Sequence, residues 1–312
     1  MSPIKYSVVS PVYGCLDCLS ELCKRLVKVL ELQGQLYEII LVDDKSDNKS
    51  WQLIKALSSQ NDKIKGIELS RNFGQHNAIT CGLAHATGDW IIIMDCDLQD
   101  QPEEIPNLIA KTEEGFDIVL ASRANRKDGF FKRTGSKLFY AILSYLTDTK
   151  QDHTVANFGV YSKRAIAALL SMEDYLRYFP TMVQWVGFEK AKLPVNHASR
   201  EAGNSGYSFR KLLRLAIDNI ISFSDRPLKL MIYFGLLLSS ISFLIAFYYF
   251  ILYQLGEIVQ LGFTSLILSI WFLFGIAFII LGTIGLYLGK TFETVKKRPL
   301  YIVKDTSNLE NE

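Results

Sequence analysis

Residues 91–100, Ile-Ile-Ile-Met-Asp-Cys-Asp-Leu-Gln-Asp, form an apolar run that ends abruptly in three carboxylates and one amide. Strands that are buried on both faces are continuous apolar runs, and in open α/β sheets ligands bind beyond the carboxyl ends of such strands. Asp95 and Asp97 are two residues apart, so they would point to the same side of an extended chain. With the neutral carbonyl of Gln99, these oxygen ligands suit Mg²⁺ or Mn²⁺ held together with substrate phosphates. The pattern predicts a strand that leads into a metal and phosphate site, with a solvated acidic loop as the alternative.

Segments with strand and helix patterns alternate on both sides of this stretch. Apolar runs that predict strands occupy 7–10, 37–42, 64–69 and 118–121. Segments that predict helices occupy 19–30, 50–58, 77–86 and 103–114. Such alternation with short connections is typical of a mostly parallel, doubly wound α/β sheet. Because parallel strands end at one edge of a sheet, the polar clusters at 11–13, 43–44 and 95–100 are expected to meet there.

Glycine-rich phosphate loops are absent from the sequence, which contains neither GxGxxG nor GxxxxGK[ST]. This disfavours a dinucleotide site and a P-loop ATP site. The net charge of +2 gives no indication of a nucleic-acid partner. Neutralisation of phosphate would instead fall to the metal and to basic residues such as Arg71, Arg123, Arg126 and Arg133.

The five cysteines are expected to be reduced thiols, because no signal peptide is recognisable and the cytoplasm keeps thiols reduced. Cys15 and Cys18 have the spacing of a zinc or redox motif. No second pair supplies the remaining ligands of a zinc site, so small residues that pack a helix are the preferred interpretation.

Two long segments near the C-terminus, 230–256 and 258–289, carry no charge. Each exceeds the roughly 20 residues that cross a bilayer, which predicts transmembrane helices at about 228–253 and 263–288. Lys and Arg flank the pair on both sides, whereas the connector 254–262 has none. By the positive-inside rule, the large N-terminal domain and both termini are expected on the cytoplasmic side of the inner (plasma) membrane.

The expected organisation is a catalytic domain over 1–206, a juxtamembrane region over 207–227, two spans within 228–289 and a cytoplasmic tail over 290–312. The juxtamembrane region interleaves cations with apolar residues, as interfacial helices in lipid headgroups do. A linker helix packed on the catalytic domain is the alternative interpretation.

The motifs at the strand ends resemble, in their order and spacing, those of one enzyme family. They are Val9-Ser10-Pro11-Val12-Tyr13, Leu41-Val42-Asp43-Asp44, Leu69-Ser70-Arg71-Asn72-Phe73-Gly74, Met94-Asp95-Cys96-Asp97-Leu98-Gln99-Asp100 and Ala121-Ser122-Arg123. This set resembles family 2 glycosyltransferases of the GT-A fold. The paired spans and the ending Arg298-Pro299-Leu300-Tyr301 narrow the resemblance to the polyprenyl-phosphate glycosyltransferase branch, similar to dolichol-phosphate mannose synthases and bacterial GtrB-type enzymes.

The resemblance implies an α/β fold: a GT-A, Rossmann-like catalytic domain with a mostly parallel sheet, followed by interfacial helices and two transmembrane helices. It also implies a nucleotide-sugar donor bound by residues at the strand ends, namely Pro11, Tyr13, Asp43, Asp44, Arg71 and Asp95. The cation, Mg²⁺ or Mn²⁺, would be held on the diphosphate by Asp95, Asp97 and Gln99, with Asp97 as the first choice for direct coordination. Some members of this branch assemble through their membrane helices, so a homo-oligomer is a further expectation.

On the acceptor side, the resemblance implies that Arg123 meets a donor or acceptor phosphate and that Arg126, Arg133 and Lys137 bind the phosphate of the lipid. Asn157 stands where relatives often carry the aspartate proposed as their catalytic base. A sugar hydroxyl needs such a base, whose loss typically costs about 10² to 10⁴ in rate. A phosphate monoester, with a second pKa of about 6, is already anionic at neutral pH. Asn157 therefore favours a polyprenyl-phosphate acceptor, and it would itself serve to orient the substrate in catalysis.

The function predicted from the sequence is inverting, metal-dependent transfer of a sugar to undecaprenyl phosphate at the cytoplasmic membrane face, which would supply lipid-linked sugar for cell-surface glycans. One alternative is transfer to a hydroxyl of a lipid-linked glycan, with Asp128, Asp148 or Asp152 replacing the base. Another, of a different class, is a membrane subunit that binds nucleotide sugar without turnover.

Overall fold

A computed structural model describes residues 4–46, 49–123, 145–146, 155–195, 220–221, 224–255 and 262–309. The chain divides into two compact units. The first comprises Met1–Ser144, Thr149–Ser208 and Pro299–Glu312, and the second comprises Tyr145–Asp148 and Phe209–Arg298.

Strands and helices alternate along the first unit. They are β1 (Tyr6–Val12), α1 (Leu16–Glu31), β2 (Tyr37–Asp43), α2 (Ser50–Gln60), β3 (Ile64–Leu69), α3 (Gln75–His85) and β4 (Trp90–Ile93). A short 3-10 turn at Pro102–Glu104 leads to α4 (Ile105–Thr112), β5 (Ile118–Arg123), β6 (Val155–Ser162), α5 (Lys163–Ser171), α6 (Phe179–Trp185) and β7 (Lys190–Val195). The first five predicted strands correspond to β1 to β5, so the predicted alternation is confirmed.

The described strands form one sheet in the order β7-β5-β6-β4-β1-β2-β3 with an eighth strand, β8 (Val303–Ser307), beside β3. β4, β1, β2 and β3 pair in parallel, and β7 pairs in parallel with β5. β6 runs antiparallel to β4 and β5, and β8 runs antiparallel to β3. The sheet is therefore mostly parallel, as predicted, and β1, β2 and β4 end at the same edge.

Burial explains why the central strands are continuous apolar runs. Every residue of β1 and of β2 is buried, because helices cover the sheet on both faces. The buried face of α1 includes Leu19, Leu22 and Leu26, which recur at helical spacing. α3 lies close against β1 and β2 at Gly82, where an added Cβ would be 2.4 Å from Val9 Cγ1 and 3.1 Å from Val42 Cγ2.

The C-terminal segment, predicted only as a cytoplasmic tail over 290–312, contains the edge strand β8. Trp51 Nε1 donates a hydrogen bond to Asp305 Oδ2 at 3.2 Å. Asn308 Nδ2 donates to the carbonyl oxygens of Ser58 and Ile64 at 2.6 and 3.0 Å. β8 therefore satisfies the hydrogen-bonding edge of β3, which would otherwise be open to other chains.

The second unit contains two long helices, α7 (Arg226–Gln254) and α8 (Phe263–Val295). Within them lie two candidate membrane spans, Arg226–Tyr249 and Ser269–Val295, each with a mean hydropathy of 2.2. The most apolar windows of these two described helices contain no buried residue, so a protein core does not account for their composition. Residues 207–219 and 222–223 of the predicted juxtamembrane helix lie outside the described residues.

Replacement of Gly82 by alanine should destabilise the first unit by about 1–3 kcal/mol, because the new methyl group enters a packed core against stiff valine side chains. Chemical denaturation of the detergent-solubilised chain measures this change. Gln52→Ala, on the exposed side of α2, is the control and should stay within about 0.5 kcal/mol of the parent. Equal stability of the parent and the Gly82→Ala variant would contradict the close packing of α3.

Candidate active site

The polar ends of β2 and β4 lie on either side of β1. Val12 is opposite Asp43 in the parallel register, and the Asp44 N–H donates to Val12 O at 3.0 Å. On the other side of β1, the Met94 N–H donates to Val9 O at 3.2 Å. The predicted meeting of the polar clusters at one edge is confirmed for these strands.

Two side-chain amides bind the carboxylate of Asp95. Gln75 Nε2 donates to Asp95 Oδ1 at 2.7 Å, and the side chain of Asn157 also hydrogen-bonds to this carboxylate. Burial raises the pKa of Asp95 to about 7, and the charges of Asp100 and Asp97 act in the same direction, while both amides oppose the rise. Asn157 was predicted from the sequence to orient the substrate, and Asp95 was predicted to bind the metal. The structure therefore brings these two residues into contact.

Asp97 and Gln99 belong to the turn that follows Asp95. Asp97 Oδ1 accepts a hydrogen bond from the Gln99 N–H at 3.1 Å. The residue between them, Leu98, has a φ of 58°, in the left-handed region. This conformation turns the chain directly after the second carboxylate, and Asp97 stays partly exposed.

The donor set at this turn fits a hard divalent cation. The candidate ligands Asp95, Asp97 and Gln99 offer only oxygen atoms, which Mg²⁺ and Mn²⁺ prefer. Within the described ranges, no three side chains of His, Cys, Asp or Glu converge on one point. A cation here would therefore take its remaining ligands from water and from substrate phosphates, as Mg²⁺ commonly does.

The aspartates at the end of β2 are buried and hydrogen-bonded. Asp43 Oδ1 accepts from Ser46 N and Ser46 Oγ at 3.2 and 2.6 Å. Asp44 accepts from the N–H groups of Phe73 and Gly74 at 2.7 and 2.9 Å. Burial raises the pKa of both carboxyls, and these hydrogen bonds oppose the rise. Asp44 thereby connects the end of β2 to the residues that precede α3.

Lys45 follows the paired aspartates at the end of β2, and its backbone adopts a conformation that glycine usually occupies. Its φ is 55°, in the left-handed region, and its Nζ lies 2.8 Å from Glu68 Oε1. Lys304 of β8 pairs with the same carboxylate at 3.0 Å. The buried Glu68 therefore holds the loop after Asp44 and the C-terminal strand together.

Three further residues predicted to bind nucleotide lie on the described part of the chain. Pro11 is buried in β1, and Tyr13, just beyond this strand, is 56% exposed. Arg71 is exposed, its guanidinium lies 4.2 Å from the ring centre of Phe73, and its charge acts on Asp44. Tyr13 and Arg71 are thus accessible to a ligand.

The acceptor-side prediction falls largely outside the described residues. Arg123 is the last residue of β5, and its backbone lies opposite Val195 of β7. Arg126, Arg133 and Lys137 lie outside the described residues, as do the alternative bases Asp128, Asp148 and Asp152.

Sequence reasoning missed Gln75, which the structure places on Asp95. Its only sequence signal is that it directly follows the motif that ends at Gly74. No local sequence pattern connects an amide at the start of a helix with a carboxylate 20 residues away. The contact between Gln75 and Asp95 follows from the packing of α3 on the sheet.

The expectation of five reduced cysteines is wrong for one pair. Cys15 and Cys96 form a disulfide with their Cα atoms 6.3 Å apart. The loops after the neighbouring strands β1 and β4 carry these residues, so the pairing of the strands brings them together. The disulfide joins the loop that contains Tyr13 to the residue between Asp95 and Asp97.

Comparison with known proteins gives a family match. Residues 7–170, from β1 into α5, match the model of glycosyl transferase family 2. YkcC of Bacillus subtilis (strain 168), named as an uncharacterized glycosyltransferase, is 35% identical over 309 residues, which are 99% of this chain and 96% of that protein. The family match, with the mostly parallel sheet, confirms the predicted GT-A fold.

Solved structures of lower similarity include the mannosyltransferase PcManGT from Pyrobaculum calidifontis in complex with GDP-Man and Mn²⁺. It has a TM-score of 0.49 and 14% identity, over 72% of this chain and 65% of that chain. TarS residues 1–349 from S. aureus in complex with UDP-GlcNAc has a TM-score of 0.44 and 18% identity, over 71% of this chain and 68% of that chain.

Reduction of the disulfide should destabilise the first unit by about 2–4 kcal/mol, because a cross-link between distant residues restricts the unfolded chain. Its two cysteines are 81 residues apart. The melting temperature of the solubilised chain should fall by roughly 5–15 °C when a reductant is added.

Two serine variants serve as controls for this measurement. Cys15→Ser should melt at the lower temperature with or without the reductant, whereas Cys18→Ser should keep the response of the parent. Two results together would contradict the disulfide: a melting temperature of the parent chain that does not change when the reductant is added, and alkylation of Cys96 before reduction.

Proposed function

We propose an acceptor for this chain, which belongs to glycosyltransferase family 2. The chain transfers a sugar, with inversion, from a nucleotide-sugar donor to a polyprenyl phosphate such as undecaprenyl phosphate at the cytoplasmic face of the plasma membrane. The observation that carries this proposal is the contact of Asn157 with Asp95: an amide that donates to a carboxylate does not take a proton from an acceptor. A phosphate acceptor needs no such proton transfer.

The donor is bound at the ends of β1, β2 and β3. Tyr13 and Arg71 are exposed there and contact the nucleotide, while Pro11, Asp43 and Asp44 shape its base and ribose site. The hydrogen bonds that Asp44 accepts from two backbone amides hold the loop before α3 in place for this role.

Asp95, Asp97 and Gln99 would hold Mg²⁺ or Mn²⁺, and the cation would supply positive charge that stabilises the nucleoside diphosphate leaving group. An oxygen of the lipid phosphate attacks the anomeric carbon from the face opposite the leaving group. The new bond joins this carbon to the phosphate oxygen, and the bond to the diphosphate oxygen breaks. Basic side chains, assigned as Arg123, Arg126, Arg133 and Lys137, compensate the charge of the two phosphate groups.

The path of the chain supports a membrane hairpin. The two apolar helices follow the catalytic unit in sequence, and after them β8 pairs with β3 of that unit. A chain that crosses a membrane twice ends on the side from which it started. Two crossings, by α7 and α8, would therefore leave β8 on the same side of the membrane as β3. The basic residues around both spans favour the cytoplasm as that side, where cellular reductants would act on the Cys15–Cys96 disulfide. A homo-oligomer through these helices belongs to the same proposal.

The direct test of the acceptor is an incubation of the solubilised chain with labelled nucleotide sugars, Mg²⁺ or Mn²⁺, and undecaprenyl phosphate. An α-linked donor should give a β-linked lipid phosphate sugar, because a single displacement inverts the anomeric carbon. Undecaprenol, which lacks the phosphate, is the matched control and should receive no sugar. Transfer to a glycan hydroxyl alone, donor binding without turnover, or an α-linked product would each contradict the proposal.

Replacement of Asp97 by asparagine should lower the rate of transfer by about 10² to 10³, because the cation loses a charged ligand next to the leaving group. The rate is measured across a titration of Mg²⁺ and Mn²⁺. Asp62→Asn, at an exposed position between α2 and β3, is the control and should keep the parental rate. An Asp97→Asn variant that turns over at the parental rate throughout the titration would remove the metal from this mechanism.

A further inference from the structure

The carboxylate of Asp95 has an unusual pair of partners, since both are neutral amides and neither is close to it in the sequence. Gln75 is the first residue of α3, and Asn157 lies on β6. Gln75 Nε2 is 2.7 Å from Asp95 Oδ1. β6 pairs antiparallel with β4 so that Gly159 is opposite Ile93, and this register, continued, places Asn157 opposite Asp95, to whose carboxylate its side chain hydrogen-bonds. Asp95 follows β4, so three separate elements meet at one side chain.

Amides have a particular effect on a carboxylate that binds a metal. An amide NH₂ group donates hydrogen bonds without adding a charge, so it orients the carboxylate without competing as a cation. A carboxylate has about four acceptor positions, so two amide bonds leave sites for a metal. Hydrogen-bond partners of this kind orient metal ligands, and their loss typically lowers metal affinity by about 10- to 100-fold.

The chain on both sides of Gln75 is itself held in place. Phe73 and Gly74, just before it, donate their N–H groups to Asp44. The ring of His76, just after it, packs edge-on against Tyr178 with the ring centres 5.0 Å apart. Gln75 therefore sits on a fixed helix start, which connects the end of β2 with the carboxylate after β4.

We infer that Gln75 and Asn157 are positioning residues that orient the carboxylate of Asp95 toward the cation. This inference rests on the proposed function, and it gives Asn157 a different task from the one predicted from the sequence, which was to orient the substrate. Asn157 acts through Asp95. A carboxylate at position 157 would face Asp95 with a like charge and would weaken the cation site.

The test measures binding of Mn²⁺ directly, by electron paramagnetic resonance of the free ion in the presence of uridine or guanosine diphosphate. Three variants remove a donor amide: Gln75→Met without a new charge, and Gln75→Glu and Asn157→Asp with one. Each should raise the Mn²⁺ concentration at half-saturation by about 10- to 100-fold. In the transfer assay, the same variants should recover much of their rate at high Mn²⁺, while the KM for undecaprenyl phosphate stays near the parental value.

Matched controls exist at exposed positions on helices of the same unit. Asn107 Nδ2 also donates to a carboxylate, Glu104 Oε2, at 3.0 Å, so Asn107→Asp repeats the chemical change of Asn157→Asp away from the site. Gln52→Glu and Gln52→Met repeat the changes at Gln75 on the exposed side of α2. All three controls should bind Mn²⁺ as the parent does. Thermal melts without metal identify a variant that fails to fold, and the uncharged Gln75→Met variant then decides the test.

Two results would overturn the inference while leaving the proposed function intact. One is parental Mn²⁺ affinity in folded Gln75→Met and Asn157→Asp variants. The other is an Asn157→Asp variant whose kcat rises several hundredfold at unchanged Mn²⁺ affinity, because position 157 would then act as a base. A parent chain that binds no Mn²⁺ with either nucleotide would overturn both the inference and the metal-dependent mechanism.

Discussion

The parallel pairing of β1 with β2 on one side and β4 on the other is the constraint on which the site depends. Hydrogen bonds continue beyond these strands, from the Asp44 N–H to Val12 and from the Met94 N–H to Val9, so the register persists into the polar ends. Two strand spacings separate β2 from β4, which amounts to roughly 10 Å. The acidic ends of both strands are thereby held at a fixed separation, on a scaffold too tightly buried to slip.

The start of α3 connects the acidic ends of β2 and β4, because it is hydrogen-bonded to an aspartate at each of them. Asp44 accepts from the backbone just before the helix, and Asp95 accepts from the side chain of Gln75. Three carboxylates in one turn, Asp95, Asp97 and Asp100, repel one another when charged, and burial increases the cost. Neutral amide donors reduce this cost without adding a positive charge at the proposed metal site. Close contact of α3 with the sheet keeps the donor where it is needed.

The C-terminal strand gives the two apolar helices a second connection along the chain to the first unit. β8 covers the edge of β3, and Lys304 shares the buried Glu68 with Lys45, which adopts a left-handed conformation beside Asp44. The chain on both sides of the apolar hairpin therefore belongs to the same unit.

By itself, the sequence determined the alternation of strands and helices, the acidic strand ends, the two apolar helices and the family, because each of these follows from local periodicity or from motifs at fixed spacing. Only the tertiary structure decided the partners of these residues. Gln75 meets Asp95 across 20 residues, Cys15 meets Cys96 across 81, and the tail became an edge strand. Asn157, predicted to act on the substrate, lies against Asp95 because β6 runs antiparallel to β4. Contacts between distant segments depend on the order, direction and register of the strands, which no local pattern in the chain specifies.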